Sequence, residues 1–262
     1  MSTFHDLEKE QRRALIEFLR QCTVPLVAEV SGTANIVGTG TLFDFGDGPL
    51  LITAAHVLKG TNYNVRDLAM PDTPNGTALI TFGSFDLRRE VTHDIAILQF
   101  KHGDTVRRAT ENWRVLSAGD IELSLSSSLI AIAGCPCEMA TPRNRMLHAG
   151  WITMFVERYT PKAEDEELAQ DFGLAQDLDF LTKYPDTVFR HDGSSTVAPK
   201  SVEGLSGGSV WQMTDSFSGF WTPQKALRVV GLQVSAMPGR YERARSWKTV
   251  SAVYYNGKTP RA

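Results

Sequence analysis

An all-β architecture of sandwiches or barrels is predicted by three features of the chain. Short runs rich in β-branched and aromatic residues recur from Val24 to Tyr255. Turn signals separate them, with 12 prolines and 21 glycines spread along the length. Only one segment carries clear helical periodicity. That segment comes first: Phe4, Leu7, Ala14, Leu15, Phe18, Leu19 and Cys22 fall largely on one face of a helix over residues 4–22, with most charges opposite. Gln11 interrupts the stripe, and Ser2 or Thr3 is suited to cap the start. Such a helix is expected to pack against the body of its own chain rather than against a partner or a membrane.

The strand-like runs are Val24–Val30, Asn35–Phe45, Pro49–Val57, Thr77–Leu87 and Asp94–Phe100. Between the second and third, Gly46-Asp47-Gly48 is a hairpin signal, because glycine and aspartate accept the positive φ of tight turns. Around Asn112–Glu122 the chain becomes more polar and is read as a crossing to a second half. Runs resume at Ser128–Ala133, Met146–Val156, Ser209–Met213, Leu227–Val234 and Lys248–Tyr255. The chain thus divides into an N-terminal helix (1–23), a first β unit (24–118) and a second (119–262). Residues 157–187 break the rhythm with nine carboxylates, Glu157 and Asp186 at the ends, and a candidate helical stripe of Leu168, Phe172, Leu174, Leu178 and Leu181. They are read as an acidic, partly helical insertion: a solvated face, a border of a substrate cleft favouring basic peptides, or a hold for a regulatory partner.

The 262 residues suffice for a substantial core, and a formal net charge of −3 points to neither a nucleic acid nor an anionic membrane. Cys22, Cys135 and Cys137 form no even disulfide framework, which suggests a reducing compartment. Charges at Asp6, Glu8, Lys9, Glu10, Arg12 and Arg13 interrupt any secretory leader, and no apolar run approaches membrane-spanning length. The expected location is the cytoplasm.

Three short motifs carry chemistry. His56 follows the apolar run Leu50-Leu51-Ile52-Thr53-Ala54-Ala55, whose last small side chains leave room for partners on both ring nitrogens. The other histidines (His5, His93, His102, His148 and His191) read as packed or surface residues. Asp94 heads the inward-going run Asp94-Ile95-Ala96-Ile97-Leu98, where a carboxylate is costly to bury unless its charge is satisfied. Accepting a histidine ring N–H would satisfy it and would fix the tautomer that acts as a base. Ser206 sits in Gly204-Leu205-Ser206-Gly207-Gly208, where the Gly204 and Ser206 amides are placed to converge on an oxyanion. Each motif alone has an ordinary structural reading; their order gives the combination its meaning. Cys135-Pro136-Cys137 lacks the second pair or nearby histidines of a metal site and reads as the end of a strand.

These residues resemble the trypsin-like serine peptidases of the chymotrypsin fold. Thr53-Ala54-Ala55-His56, Asp94-Ile95-Ala96 and Gly204-Leu205-Ser206-Gly207-Gly208 match that family's three motifs. Gly38–Phe43 and Val229–Ser235 resemble strands that flank them, so the likeness covers about residues 24–255. It implies two six-stranded antiparallel barrels with a triad between them: Ser206 as nucleophile, His56 as base and Asp94 orienting His56. It further implies an oxyanion hole from the amides of Gly204 and Ser206, and a serine endopeptidase that uses no metal or organic cofactor. Val234, Ser235 and Ala236 would form a wall of the substrate pocket. Lys200 stands six residues before the serine, where trypsins carry their specificity aspartate.

The chain departs from secreted members in lacking a processing site before its first strand and, on this reading, the usual terminal helix. It is closer to intracellular bacterial stand-alone members. The expected partners are a protein or peptide substrate and a regulatory protein, with narrow specificity or activation by a sensor, as in bacterial defence systems. Two alternatives remain in view. One is a latent protease-fold module that binds proteins; the other is an esterase, although an α/β-hydrolase orders its triad Ser, Asp, His.

Overall fold

A computed structural model describes residues 8–60, 62–143, 146–160, 178–214 and 221–256. The first half builds one curled antiparallel sheet from β1 (Val24–Val30), β2 (Thr33–Asp44), β3 (Pro49–Ala54), β4 (Ala69–Pro71), β5 (Leu79–Thr81), β6 (Phe85–Glu90) and β7 (Ile95–Phe100). Their order across the sheet is β5-β4-β1-β2-β3-β7-β6, and β8 (Leu116–Ser117) adds a short parallel pairing to β2.

The second half contains β9 (Leu129–Gly134), β10 (Thr141–Arg143), β11 (Met146–His148), β12 (Ile152–Tyr159), β13 (Asp179–Lys183), β14 (Thr187–Arg190), β15 (Ser195–Val197), β16 (Ser209–Met213), β17 (Leu227–Met237) and β18 (Tyr241–Ser246). Here the order β13-β18-β17-β16-β9-β12 is closed by pairing of β12 with β13, giving a six-stranded barrel. The fold is therefore mostly β, with one closed barrel and one half-barrel in the two-barrel arrangement of the chymotrypsin fold.

Strand alternation sorts the side chains. Ile130, Ile132, Met154, Val210 and Ala244 fill the closed barrel, while Ala131, Trp211 and Val229 point outward into a second core. Helix α1 (Lys9–Cys22) lays Leu15, Phe18, Leu19 and Cys22 into that outer core, and Phe18 meets Trp211 edge-on at 5.6 Å. The helix thus docks on its own chain. Its cap is Glu8, whose backbone N–H donates to Gln11 Oε1 at 3.2 Å. The residue that breaks the apolar stripe thus closes a capping box. Phe4, Leu7, Ser2 and Thr3 lie outside the described residues.

Three expectations are corrected. Residues 103–112, given no element by the sequence reading, form α2 (Gly103–Asn112), where Arg107 bridges Asp104 at 2.6 Å and Glu111 at 2.9 Å along one helix face. Residues 248–255 were expected as a strand and a terminal helix as missing; instead α4 (Trp247–Asn256) is a helix. Its valines and tyrosines favour strands in isolation, but Trp247, Val250, Val253 and Tyr254 share a helical face buried in the outer core. The described ends of the acidic segment are barrel strands: Leu181, expected on a helical stripe, pairs with Tyr159. Leu168, Phe172 and Leu174 fall outside the described residues. A fourth element, the single turn α3 (Pro223–Ala226), leads into β17.

Candidate active site

His56 stands in a 3-10 turn, Ala55–Lys59, at the point where β3 leaves the sheet. Asp94 immediately precedes β7, which pairs with β3 from Ala54↔Ile95 onward, so sheet register alone brings the two residues together. The carboxylate is used twice: Oδ1 accepts the His56 backbone N–H at 2.8 Å, and Oδ2 lies 2.7 Å from His56 Nδ1. The Asp94 carbonyl also accepts the Ala55 N–H at 3.0 Å. Asp94 holds φ at +54°, a left-handed conformation that aspartate tolerates better than most residues, and these contacts keep it there. An oxygen on Nδ1 fixes the proton on that nitrogen and leaves Nε2 a free base.

Ser206 lies on the loop that enters β16. Leu205, between glycine and serine, is fully buried among the barrel-filling residues and pins the loop from below. The first half pins it from the side: Thr39 N–H donates to the Ser206 carbonyl at 2.9 Å, and Thr39 Oγ1 donates to the Gly204 carbonyl at 2.5 Å. Within the loop the amides of Leu205, Gly207 and Gly208 donate to Val202, Gln233 and Leu205. Among the described residues, the amides of Gly204 and Ser206 donate to none.

Two glycines make the geometry possible. At Gly204, φ is +92° and a Cβ would sit 2.5 Å from the Cys135 carbonyl; at Gly207, φ is again +92° and a Cβ would sit 2.1 Å from the Thr39 carbonyl. The second contact explains Gly207, since it lets the serine loop lie directly on the first half; Gly208 answers a different wall, where a Cβ would sit 2.7 Å from the Ala133 carbonyl.

His56, Asp94, Ser206, Gly204, Val234, Ser235 and Ala236 all border one cleft of about 870 Å³ between the halves. The His56 side chain keeps 41 % of its exposure and Asp94 26 %. No hydrogen bond joins His56 Nε2 to Ser206 Oγ in this conformation. Contacts of this kind are often long in empty sites and tighten with substrate. Lys200 is exposed and does not reach the cleft; Val202 and Glu203 line it instead, so the six-residue offset to a specificity position does not apply here.

Sequence reasoning missed Tyr63, Cys137 and Glu203 on the cleft rim, together with the Leu205 and Thr39 anchors. Cys137 donates its thiol to the Ile36 carbonyl at 2.7 Å. Burial first, and the Glu203 charge second, push that thiol up to about 11, so it remains protonated at neutral pH. Behind the cleft, Asp179 is buried against Arg243 Nε and Arg245 Nη1, each at 2.8 Å. Burial raises its carboxyl pKa while the two guanidinium groups oppose the rise. One carboxylate of the acidic segment is thus a structural partner. Among the described residues, no group of three or more His, Cys, Asp or Glu side chains is arranged to hold a metal, and no helix is long and apolar enough to cross a membrane.

No family model and no curated protein matches the sequence. Solved structures do match it. A serine endoprotease from Yersinia pestis superposes with a TM-score of 0.51 at 12 % identity, covering 95 % of this chain and 66 % of that one. The likeness is one of fold. The chain spans about two thirds of that endoprotease's length. Another match, a structure from work on coupled folding and binding of the Sesbania mosaic virus VPg protein, has a TM-score of 0.45 at 16 % identity. It covers 86 % of this chain and 87 % of that one.

Proposed function

We propose that this chain is a trypsin-like serine endopeptidase. The reading is carried by one juxtaposition: the His56–Asp94 pair faces the same cleft as Ser206 and two unengaged amides. In this scheme Ser206 Oγ attacks the scissile carbonyl carbon while His56 Nε2 takes the hydroxyl proton. The new C–O bond places negative charge on the carbonyl oxygen, which the Gly204 and Ser206 amides receive. One such donor is worth about 3–4 kcal/mol in the transition state of related sites. Collapse breaks the C–N bond, and His56 hands its proton to the departing amine. A water molecule then repeats the cycle on the acyl-enzyme, with His56 again as base. Asp94 holds His56 in one tautomer and stabilises the imidazolium. The cycle uses no metal or organic cofactor.

Labelling by a small alkyl fluorophosphonate tests this. The wild-type chain is expected to form a covalent adduct and Ser206→Ala none; labelling that survives the substitution overturns the assignment.

A second reading is a latent, protein-binding form of the same fold. It is favoured by the half-exposed His56 and by the lack of a bond from its Nε2 to Ser206. An unlabelled wild type that stays folded would decide for it. The cytoplasmic setting expected from the three unpaired cysteines favours narrow specificity or switching by a regulatory protein, in a bacterial defence or signalling role. Ready turnover of casein by the isolated chain would overturn that part.

A further inference from the structure

Another cleft, of about 420 Å³, forms where β6, at the end of the first sheet, meets helix α4 of the second half. Arg88, Arg89 and Glu90 close β6, and His93 follows in the turn to β7. Across from them, Lys248, Ala252 and Val253 recur at the spacing of one helix face and line the same space. Leu178, at the entry to β13, completes an apolar patch with Ala252 and Val253. The cleft is therefore built by both halves, and His93 places it one residue from Asp94.

Its charge runs against that of the chain. Arg88, Arg89 and Lys248 border it with the single carboxylate of Glu90, an excess of two positive charges in a chain of formal net charge −3. The nearby carboxylates are already engaged. Glu90 Oε1 accepts the Thr92 N–H at 3.0 Å. Asp179, next to Leu178, is held by Arg243 Nε and Arg245 Nη1 at 2.8 Å each. Arg88 is committed as well: its Nη1 donates to the Val253 carbonyl at 3.4 Å and to the Tyr254 carbonyl, satisfying the last turn of α4. Arg89 and Lys248 differ from it. Both are exposed, and neither has an ion pair or hydrogen bond among the described residues. A lone surface cation is ordinary, but two of them beside a histidine, in a concave site with an apolar patch, make a surface suited to an anion.

We propose that this cleft binds a phosphorylated small molecule, with Arg89 and Lys248 on the phosphate oxygens and Leu178, Ala252 and Val253 against the organic part. The charge excess selects a phosphate over a carboxylate: a phosphate monoester carries about −1.5 to −2 at neutral pH, whereas a carboxylate answers only one of the two cations. The Arg89 fork can take two phosphate oxygens, Lys248 acts as a point charge, and His93 adds a ring N–H donor. The volume lies within the range of about 300–1,000 Å³ usual for small-ligand sites. The proposal goes beyond the peptidase reading and does not depend on Ser206. An occupant would tie β6 of the first half to α4 of the second, and so would favour the docked arrangement of the halves.

Calorimetric titration of the full chain at low salt, with adenosine 5′-diphosphate and with adenosine as its uncharged counterpart, tests the site. The diphosphate is expected to bind saturably with a Kd below about 1 mM, and adenosine at least about tenfold more weakly. Arg89→Gln and Lys248→Gln, both at exposed positions, should each weaken the diphosphate by about tenfold, and raising the salt should weaken it in the wild type. No binding of the diphosphate at concentrations up to about 5 mM overturns the proposal. So does adenosine binding as tightly as the diphosphate, or diphosphate binding that persists unchanged in the folded Arg89→Gln/Lys248→Gln variant. The comparison of the two ligands on the wild-type chain decides even if a variant fails to fold.

Discussion

The two walls of the cleft are held by different means. On the first-half wall, His56 and Asp94 are joined by short-range geometry: adjacent strands β3 and β7 set the register, and contacts within the pair do the rest. On the second-half wall, Ser206 is held by its surroundings. Leu205 anchors it in the barrel, Thr39 of the opposite half grips the carbonyls on either side, and Gly207 lies against Thr39 and Thr53. The first wall is a local device that survives small movements between the halves. The second depends on their docking, so anything that shifts the halves moves Ser206 before it moves His56. On the proposed function, this would be a physical route for a partner or a substrate to switch the site.

The sharpest way to break this asymmetry is Gly207→Ala. The new Cβ would meet the Thr39 carbonyl at 2.1 Å and Thr53 Oγ1 at 2.2 Å, on a backbone already at φ +92°. Neither the Thr39 backbone nor the buried Thr53 hydroxyl, which donates to the Thr39 carbonyl at 2.6 Å, yields cheaply, so the cost should reach at least about 4 kcal/mol, a large share of the stability of any domain. Gly46→Ala is the control: φ there is +107°, but no atom lies within 4 Å of the added carbon, so only the backbone penalty of about 1–2 kcal/mol remains. Thermal melts of the two variants should differ widely. Similar melts would show that the halves do not press on each other at Gly207.

Asp94→Asn probes the other wall without disturbing the fold. Asparagine tolerates positive φ and can still accept the His56 backbone N–H, so the melting temperature should hold within a few degrees. Its amide cannot accept the Nδ1 proton while Oδ1 keeps the backbone contact, so the ring loses its productive tautomer. Fluorophosphonate labelling should slow by about 10⁴-fold, because the wrong tautomer leaves Nε2 protonated against the serine hydroxyl. A slowing below tenfold would mean that Asp94 does not orient the base.

What could be read in the sequence follows the same division. Residues whose role depends on local backbone demands announce themselves: Gly204 and Gly207 by the turn they must make, and Asp94 by a charge at the head of a buried strand. Short runs rich in β-branched and aromatic residues placed most barrel strands. Residues whose role depends on tertiary placement did not show. Leu205 looks like any apolar residue in a turn, and Thr39 like any strand threonine. Tyr241–Ser246, with three charges in six residues, carries no apolar strand signal and was given no element, yet it forms β18, buried along nearly all of its length. The helix α4 was hidden for a related reason, because its valines and tyrosines carry strand propensity that only packing in the outer core overrides, with Trp247 on Phe43 and Tyr254 stacked on Phe45. Barrel closure between β12 and β13 joins segments on either side of residues 161–177, and no local pattern encodes it.

The smallest expected effect is also the most discriminating. Thr39→Val keeps the shape of the side chain and removes the hydroxyl that donates to the Gly204 carbonyl at 2.5 Å. The backbone bond from Thr39 N–H to the Ser206 carbonyl persists, so the loop keeps one of its two grips. A buried carbonyl left without its donor costs about 1–3 kcal/mol, which for a chain of this size lowers the melting temperature by roughly 2–12 °C. If the two walls are independent devices, labelling of Ser206 should slow by no more than about tenfold, because the His56–Asp94 pair is untouched and Leu205 still seats the loop. Slowing as deep as that of Asp94→Asn, with the fold intact, would show that the orientation of the Gly204–Leu205 peptide governs the oxyanion site. The docking of the halves would then be part of the catalytic apparatus and more than its scaffold.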